Sequence, residues 1–169
     1  TRTIGGWGTD RGLGITVDNL NNVYVQGQFA DYFNPVNFNT TGTGPTDNIL
    51  SISGADMFIM KYNNDAPNSY GWTMAIPVGG YAFSNAIRTD SSRNIYIFGS
   101  FTGTGVDFNA TGTGDPDIKS THGDADIFLM KINANKTYGW TYTIGGTGTD
   151  YGQGMTIDLD DSIYVTGNF

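Results

Sequence analysis

The sequence predicts an all-β fold made of β-propeller blades, each of four antiparallel strands, and three observations carry that prediction. A twelve-residue motif occurs three times, as DNLNNVYVQGQF (residues 18–29), DSSRNIYIFGSF (90–101) and DLDDSIYVTGNF (158–169). Its tyrosines, Tyr24, Tyr96 and Tyr164, stand 72 and 68 residues apart, a fixed long period of the kind that marks repeat architectures. The composition agrees: all 16 acidic residues are Asp, and Gly contributes 25 of 169 residues. Short carboxylates and glycines serve turns, whereas the helix former Glu is absent.

Taken in order, the chain opens on TRTIGG (1–6), which matches TYTIGG (141–146) and is expected to be the last strand of a repeat. GWGTDRGLGITVD (6–18) and GTGTDYGQGMTIDLD (146–160) follow, with Ile15 and Val17, or Met155 and Ile157, alternating as in a short strand, strand A. The second copy, GYAFSNAIRTD (80–90), is two residues shorter and lacks a counterpart of Asp10 or Asp150. The twelve-residue motif then supplies a hairpin headed by Asp and a longer strand B. Val23, Val25, Gly27 and Phe29 share one face of it, echoed by Ile95, Ile97, Gly99 and Phe101, while Tyr24 or Tyr96 leads the other. Bulk on both faces predicts cover on both sides, and the central Gly predicts close approach of a neighbour.

Segments 30–54 and 102–123 share NFNTTGTG and DFNATGTG and read as surface loop with a short strand at 36–38 and 106–108. ADMFIMKYN (55–63) and ADIFLMKIN (125–133) give strand C; YGWTMAI (70–76) and YGWTYTI (138–144) give strand D. The order is thus D, ABCD, ABCD, AB, with expected boundaries at 1–6, 7–76, 77–144 and 145–169. A closed ring takes about four to eight blades. The expected partners are therefore further blades of the same parent chain, or copies of this one.

A formal net charge of −8 with only eight basic residues makes a poor partner for phosphate backbones or anionic membrane surfaces. No apolar run of about 18 residues is present to span a bilayer. Cysteine is absent, which excludes disulfides and thiolate metal sites.

IGGTGTDYGQGMTIDLDDSIYVTGNF, with VDFNATGTG and DADIFLMKIN…YGWTYTI, resembles the bacterial β-propeller repeat of the SBBP type. Repeats of that family run W-x-x-x-I-G-G, then G-x-G-I-x-V-D-x-x-G-N-I-Y-V-T-G-x-F, then D-I-F-V-x-K. The resemblance covers essentially the whole chain and rests on many positions agreeing at one spacing. It departs where the family's hairpin Gly is replaced by Asn21, Arg93 or Asp161, and at Ala82 and Phe83 of the second copy. Asn and Asp take a positive φ more readily than Arg. The resemblance implies a secreted or cell-surface propeller, commonly one module of a large prokaryotic envelope or adhesion-like protein, and implies no catalytic activity.

An enzyme is hard to assemble from the remaining residues. His122 is the single histidine, in the polar loop STHGDAD, and no G-x-S-x-G nucleophile turn is present. No motif requires a cofactor; calcium is the one candidate, because it takes oxygen ligands alone. The best local cluster for it is Asp158, Asp160 and Asp161, followed by the pairs Asp10 with Asp18 and Asp150 with Asp158. Against metal, an Asp at a hairpin end ordinarily bonds backbone, which also explains why Asp18, Asp90 and Asp158 recur. Asp56 and Lys61, like Asp126 and Lys131, point to opposite faces of strand C and could pair only between blades. Trp72 and Trp140 read as packing between blades; Trp7, in a Gly-rich turn, and His122 are the candidates for ligand contact. Sequons at Asn39, Asn109 and Asn135 are candidate glycan sites. The leading expectation is a non-enzymatic extracellular module, structural or adhesive. The alternative is a propeller that binds carbohydrate, assisted by calcium.

Overall fold

The computed structural model of the chain describes residues 3–31, 33–42, 44–52, 54–65, 69–77, 82–109 and 111–169. Strands β1 (Arg11–Val17), β2 (Val23–Phe29), β5 (Asp56–Asn63) and β6 (Ser69–Ile76) form one antiparallel sheet in that order. A second antiparallel sheet runs β7 (Ala82–Thr89), β8 (Ile95–Phe101), β11 (Asp126–Ile132), β12 (Tyr138–Ile144). Strands β13 (Tyr151–Ile157) and β14 (Ile163–Asn168) pair as the start of a third. Strands β1 and β7 are neighbours, as are β7 and β13, so the A strands stand side by side like the inner strands of a propeller. Among the described residues the chain contains no helix. Residues 3–6, expected to close a strand D, carry no strand; positions 1 and 2 of that segment, and positions 80 and 81 of the second A segment, lie outside the described residues.

The B–C connection holds more structure than its composition suggests. Its short strand β3 (Val36–Asn37) pairs with β4 (Asn48–Ile49), and β9 (Val106–Asp107) pairs with β10 (Ile118–Lys119). Each small hairpin is held to its sheet by a phenylalanine. Phe38 lies 5.3 Å from Phe29 and 5.0 Å from Phe58, ring centre to ring centre, and Phe108 lies 5.2 Å from both Phe101 and Phe128. These six rings are all buried.

Strands A and B are joined by one turn used three times. Asn21 N–H donates to the Asp18 carbonyl (2.9 Å) and Asp18 N–H to the Asn22 carbonyl (3.0 Å), with the same bonds at Asp90–Asn94 and Asp158–Ser162. This is a type I turn followed by a left-handed residue. That residue is Asn21 (φ 60°), Arg93 (φ 66°) or Asp161 (φ 61°), so even Arg93 takes the conformation that favours glycine. At the other end of the hairpin, strand A bulges opposite Gly27, Gly99 and Gly167. A Cβ on any of the three would collide with a strand A carbonyl oxygen, that of Arg11, Phe83 or Tyr151.

The hydrophobic core lies between sheets rather than within them. Met57, Ile59, Met74 and Ile76 of the first sheet pack on Ile87, Ile97, Phe101 and Met130 of the second, all buried. The next seam repeats the theme, with Phe98 and Ile127 against Met155. Each sheet therefore packs one face against the following blade and the other against the preceding one.

Candidate functional site

The candidate residues divide between the two ends of the strands. At the A–B end, the recurring Asp and Tyr form one unit. Asp18 Oδ1 accepts the N–H groups of Leu20 and Asn22 (both 2.9 Å), and Oδ2 accepts the Asn22 amide (2.8 Å) and the Tyr24 hydroxyl (3.1 Å). Asp90 takes Asn94 N–H (2.8 Å), its amide (2.7 Å) and the Tyr96 hydroxyl (3.1 Å). Asp158 takes the N–H groups of Asp160 (3.0 Å) and Ser162 (2.9 Å) and the Tyr164 hydroxyl (3.0 Å). Burial pushes the Asp18 carboxyl up, but the donors from Asn22, Leu20 and Tyr24 outweigh it and hold it below the ordinary 3.8. Burial, with the bond to Asp90 and its charge, pushes the Tyr96 hydroxyl up to about 12.

These tips also bind blade to blade. Asn19 donates its amide to the Ser91 carbonyl (2.7 Å), while Ser91 donates its N–H (2.8 Å) and hydroxyl (2.5 Å) to Asp161. The Ser91 bonds hold the Asp161 carboxyl below its ordinary value. In the proposed calcium cluster, then, Asp158 serves its own loop and Asp161 the neighbouring one. Among the described residues no three His or Asp groups gather in a geometry that could hold a metal. The pairs Asp10 with Asp18 and Asp150 with Asp158 flank β1 and β13 at opposite ends, about 26 Å apart for eight residues at roughly 3.3 Å each, too far to share an ion.

At the opposite end lie Trp7 and His122. Asp31 Oδ1 accepts the N–H groups of Trp7 (3.1 Å) and Gly8 (3.0 Å), and Asp10 accepts that of Gly6 (2.7 Å). The turn is held firmly while the indole itself is 90% exposed. His122 is also exposed; its N–H and Nδ1 each lie 3.2 Å from Oδ2 of the buried Asp126. Asp56 likewise accepts the N–H of Ile52 (2.6 Å), so His122 occupies an apolar residue's place in the repeat. Trp7 and His122 belong to different blade junctions and do not form one site.

The sequons differ. The amide nitrogen of Asn39 donates to the Pro45 carbonyl (2.6 Å), and that of Asn109 to the carbonyls of Thr113 and Asp115 (both 2.9 Å). Both residues are buried and tie the tips of the small hairpins; Asn135 is exposed. Lys61 and Lys131, which the sequence left to pair between blades, sit over tyrosine rings of their own sheets, 5.8 Å from Tyr24 and 5.7 Å from Tyr96.

Three polar arrangements escaped the sequence reading. Tyr70 and Tyr138 donate their hydroxyls to Asp47 and Asp117, fastening each small hairpin to strand D. The signal was there: Asp47 and Asp117 recur in step with the two tyrosines. Gln26 donates to the Ser84 carbonyl (3.0 Å) and accepts the Ser84 hydroxyl across the first seam. Lys136 Nζ reaches back over the Trp72 ring (5.3 Å) to the Thr73 carbonyl (3.2 Å). Beside Trp72 an open groove of about 450 Å³ is lined by Asn39, Pro45, Asp47 and Tyr70.

No family model matches the chain. It is similar to an uncharacterized WD repeat-containing protein of Acanthamoeba polyphaga mimivirus, 25% identical over 182 aligned residues that take in 98% of this chain. The chain spans only 13% of the length of that relative. With the four-stranded sheets, this places the chain among repeat proteins of the β-propeller type.

Proposed function

We propose that the chain is a stretch of an extracellular propeller of the SBBP type, acting as a non-enzymatic structural or adhesive module through the surfaces of its blades. The observation that supports this is where the recurring polar residues are spent. Asp18, Asp90 and Asp158 hold turns and tyrosines, Asp47 and Asp117 hold small hairpins, and Ser91 joins three hairpin tips. A repeat whose recurring acids serve its own scaffold is suited to displaying surface. Labelling intact source cells with an amine reagent that cannot cross membranes tests the location. The chain should be labelled before lysis; labelling only after lysis overturns the extracellular reading.

A second reading, carbohydrate binding, is favoured by one observation: the Trp7 indole is exposed on a turn fixed by Asp31. A rigidly presented ring suits stacking on a sugar face. A glycan array hit lost in Trp7→Ala would support it, and an array without hits would remove it.

A further inference from the structure

We infer that Asp126 and Asp150 bind a calcium ion where the second sheet meets β13, and that Asp31 and Asp10 repeat the site ahead of β1. The inference depends on neither reading above, since it rests only on these carboxylates and their surroundings.

Between the second sheet and β13 the backbone brings two aspartates together. Asp124 N–H donates to the Gly148 carbonyl (3.2 Å) and Asp150 N–H to the Ala125 carbonyl (2.8 Å), pairing Ala125 with Thr149 in parallel. The residues that follow that pair, Asp126 and Asp150, are therefore neighbours on one face. Both are buried, 0% and 4% exposed. Asp150 Oδ2 accepts the Gly146 N–H (2.8 Å), and Asp126 Oδ2 is taken up by His122. Asp126 Oδ1 is buried without a partner, 2.5 Å from where a Cβ on Gly145 would stand, so it faces the same glycine turn. Among the described residues no Lys or Arg pairs with either carboxylate.

The other junctions supply a repetition and a control. Ahead of β1, Asp10 is the counterpart of Asp150 and accepts the Gly6 N–H through Oδ2 (2.7 Å), leaving Oδ1 buried and unpartnered. Asp31, 4% exposed, spends Oδ1 on Trp7 and Gly8 and leaves Oδ2 unpartnered beside the Cβ position of Gly6. Again two carboxylates flank one glycine turn with oxygens to spare. At the first seam, β7 has no counterpart of Asp10 or Asp150, and Asp56, the counterpart of Asp126, has its carboxylate engaged. Among the described residues, every buried carboxylate oxygen without a partner belongs to one of the two Asp pairs.

Two ionised carboxylates side by side in a buried site repel, and an oxygen without a donor adds the cost of its lost water. A divalent cation removes both penalties at once. Calcium fits these ligands best, because it takes carboxylate, backbone carbonyl and water oxygens in flexible geometry. Magnesium demands a near-ideal octahedron, and zinc favours nitrogen and sulfur. A groove of about 510 Å³, open over Gly145, Gly146, Thr149 and Asp150, admits the ion with its remaining waters.

The test is thermal unfolding of the 169-residue chain, stripped with a chelator and then titrated with calcium or magnesium chloride. Expected is a Tm that climbs with calcium, by about 5 °C or more at roughly a hundred times Kd, and by much less with magnesium. Asp150→Asn and Asp10→Asn keep an oxygen for the glycine N–H. Each should remove part of the rise and the two together all of it, while Asp160→Asn leaves it whole. Terbium adds a local readout: excited through Trp7, it should luminesce in the parent and in Asp150→Asn but lose most of its signal in Asp31→Asn. A response that survives the Asp10 and Asp150 double change overturns the inference, and emission unchanged in Asp31→Asn overturns the site ahead of β1. A parent indifferent to calcium overturns both sites, and Asn variants that then gain stability would assign each pair a shared proton instead.

Discussion

At the scale of the residue, the hairpin at Asp90 shows how one position can be read and its neighbour missed. That Asp heads a turn was legible from its recurrence; that its Oδ2 is bound by the tyrosine six positions on was not, because nothing in the pattern says which way a strand tyrosine leans. Burial of the hydroxyl, together with that bond, makes the stability depend on pH at the alkaline side. The folded Tyr96 hydroxyl is raised from 10.0 to about 12, so the folded state holds that proton more tightly than the unfolded chain does. Its stabilisation is complete below the unfolded value and is lost as pH rises through the folded one. Tyr96→Phe should cost about 1 kcal/mol at neutral pH, the usual worth of one hydrogen bond, and should lose less than the parent between neutral and about pH 11. Urea midpoints at the two pH values measure both effects. Three residues before that tyrosine, Arg93 carries the left-handed strain with φ 66°. Arg93→Gly should raise stability by about 0.5–1 kcal/mol, the strain relieved less the entropy glycine adds to the unfolded chain. Lys136, at φ 70°, offers no such gain, since its side chain binds Trp72 and Thr73 across the seam.

At the scale of the element, strand B was the most legible part of the molecule. The central Gly announced a close approach, and the approach is the bulged strand A, whose Phe83 carbonyl takes the space of a Cβ on Gly99. The obstacle is backbone in the middle of a sheet, so it cannot rotate aside as a side chain would. Gly99→Ala should destabilise by about 1–3 kcal/mol, the range for overpacking a well-filled core. The check is a lower denaturant midpoint at an unchanged m-value. The small hairpins were half legible. Val36 and Val106 announced one strand each, but the partners, Asn48–Ile49 and Ile118–Lys119, differ in both residues between repeats. Their pairing comes from Phe38 and Phe108 burying against the sheet, a contact between distant residues that local alternation does not encode.

At the scale of the whole molecule, the seams decide how blades follow one another, and they were the least legible feature. A single strand reveals that both its faces are covered; it does not reveal what a position 58 residues away contributes. The two complete seams solve the same crossing differently, Gln26 with Ser84 in one and Phe98 with Gly152 in the other. Each solution works as a pair. Gln26→Phe alone would drive a ring into the space of the buried Ser84, and overpacking of this kind costs about 1–3 kcal/mol. Ser84→Gly alone would leave Gln26 Oε1 buried without its donor, which costs about 1–3 kcal/mol. Made together, the two changes transplant the second seam into the first, and the penalties should largely cancel. A double-mutant cycle should therefore return a favourable coupling of about 0.5–3 kcal/mol, as residues sharing one contact do. Equilibrium unfolding of the four proteins measures it. Additive losses would mean that the seams are set by backbone geometry, and that the side chains at these positions do not select which blade follows which.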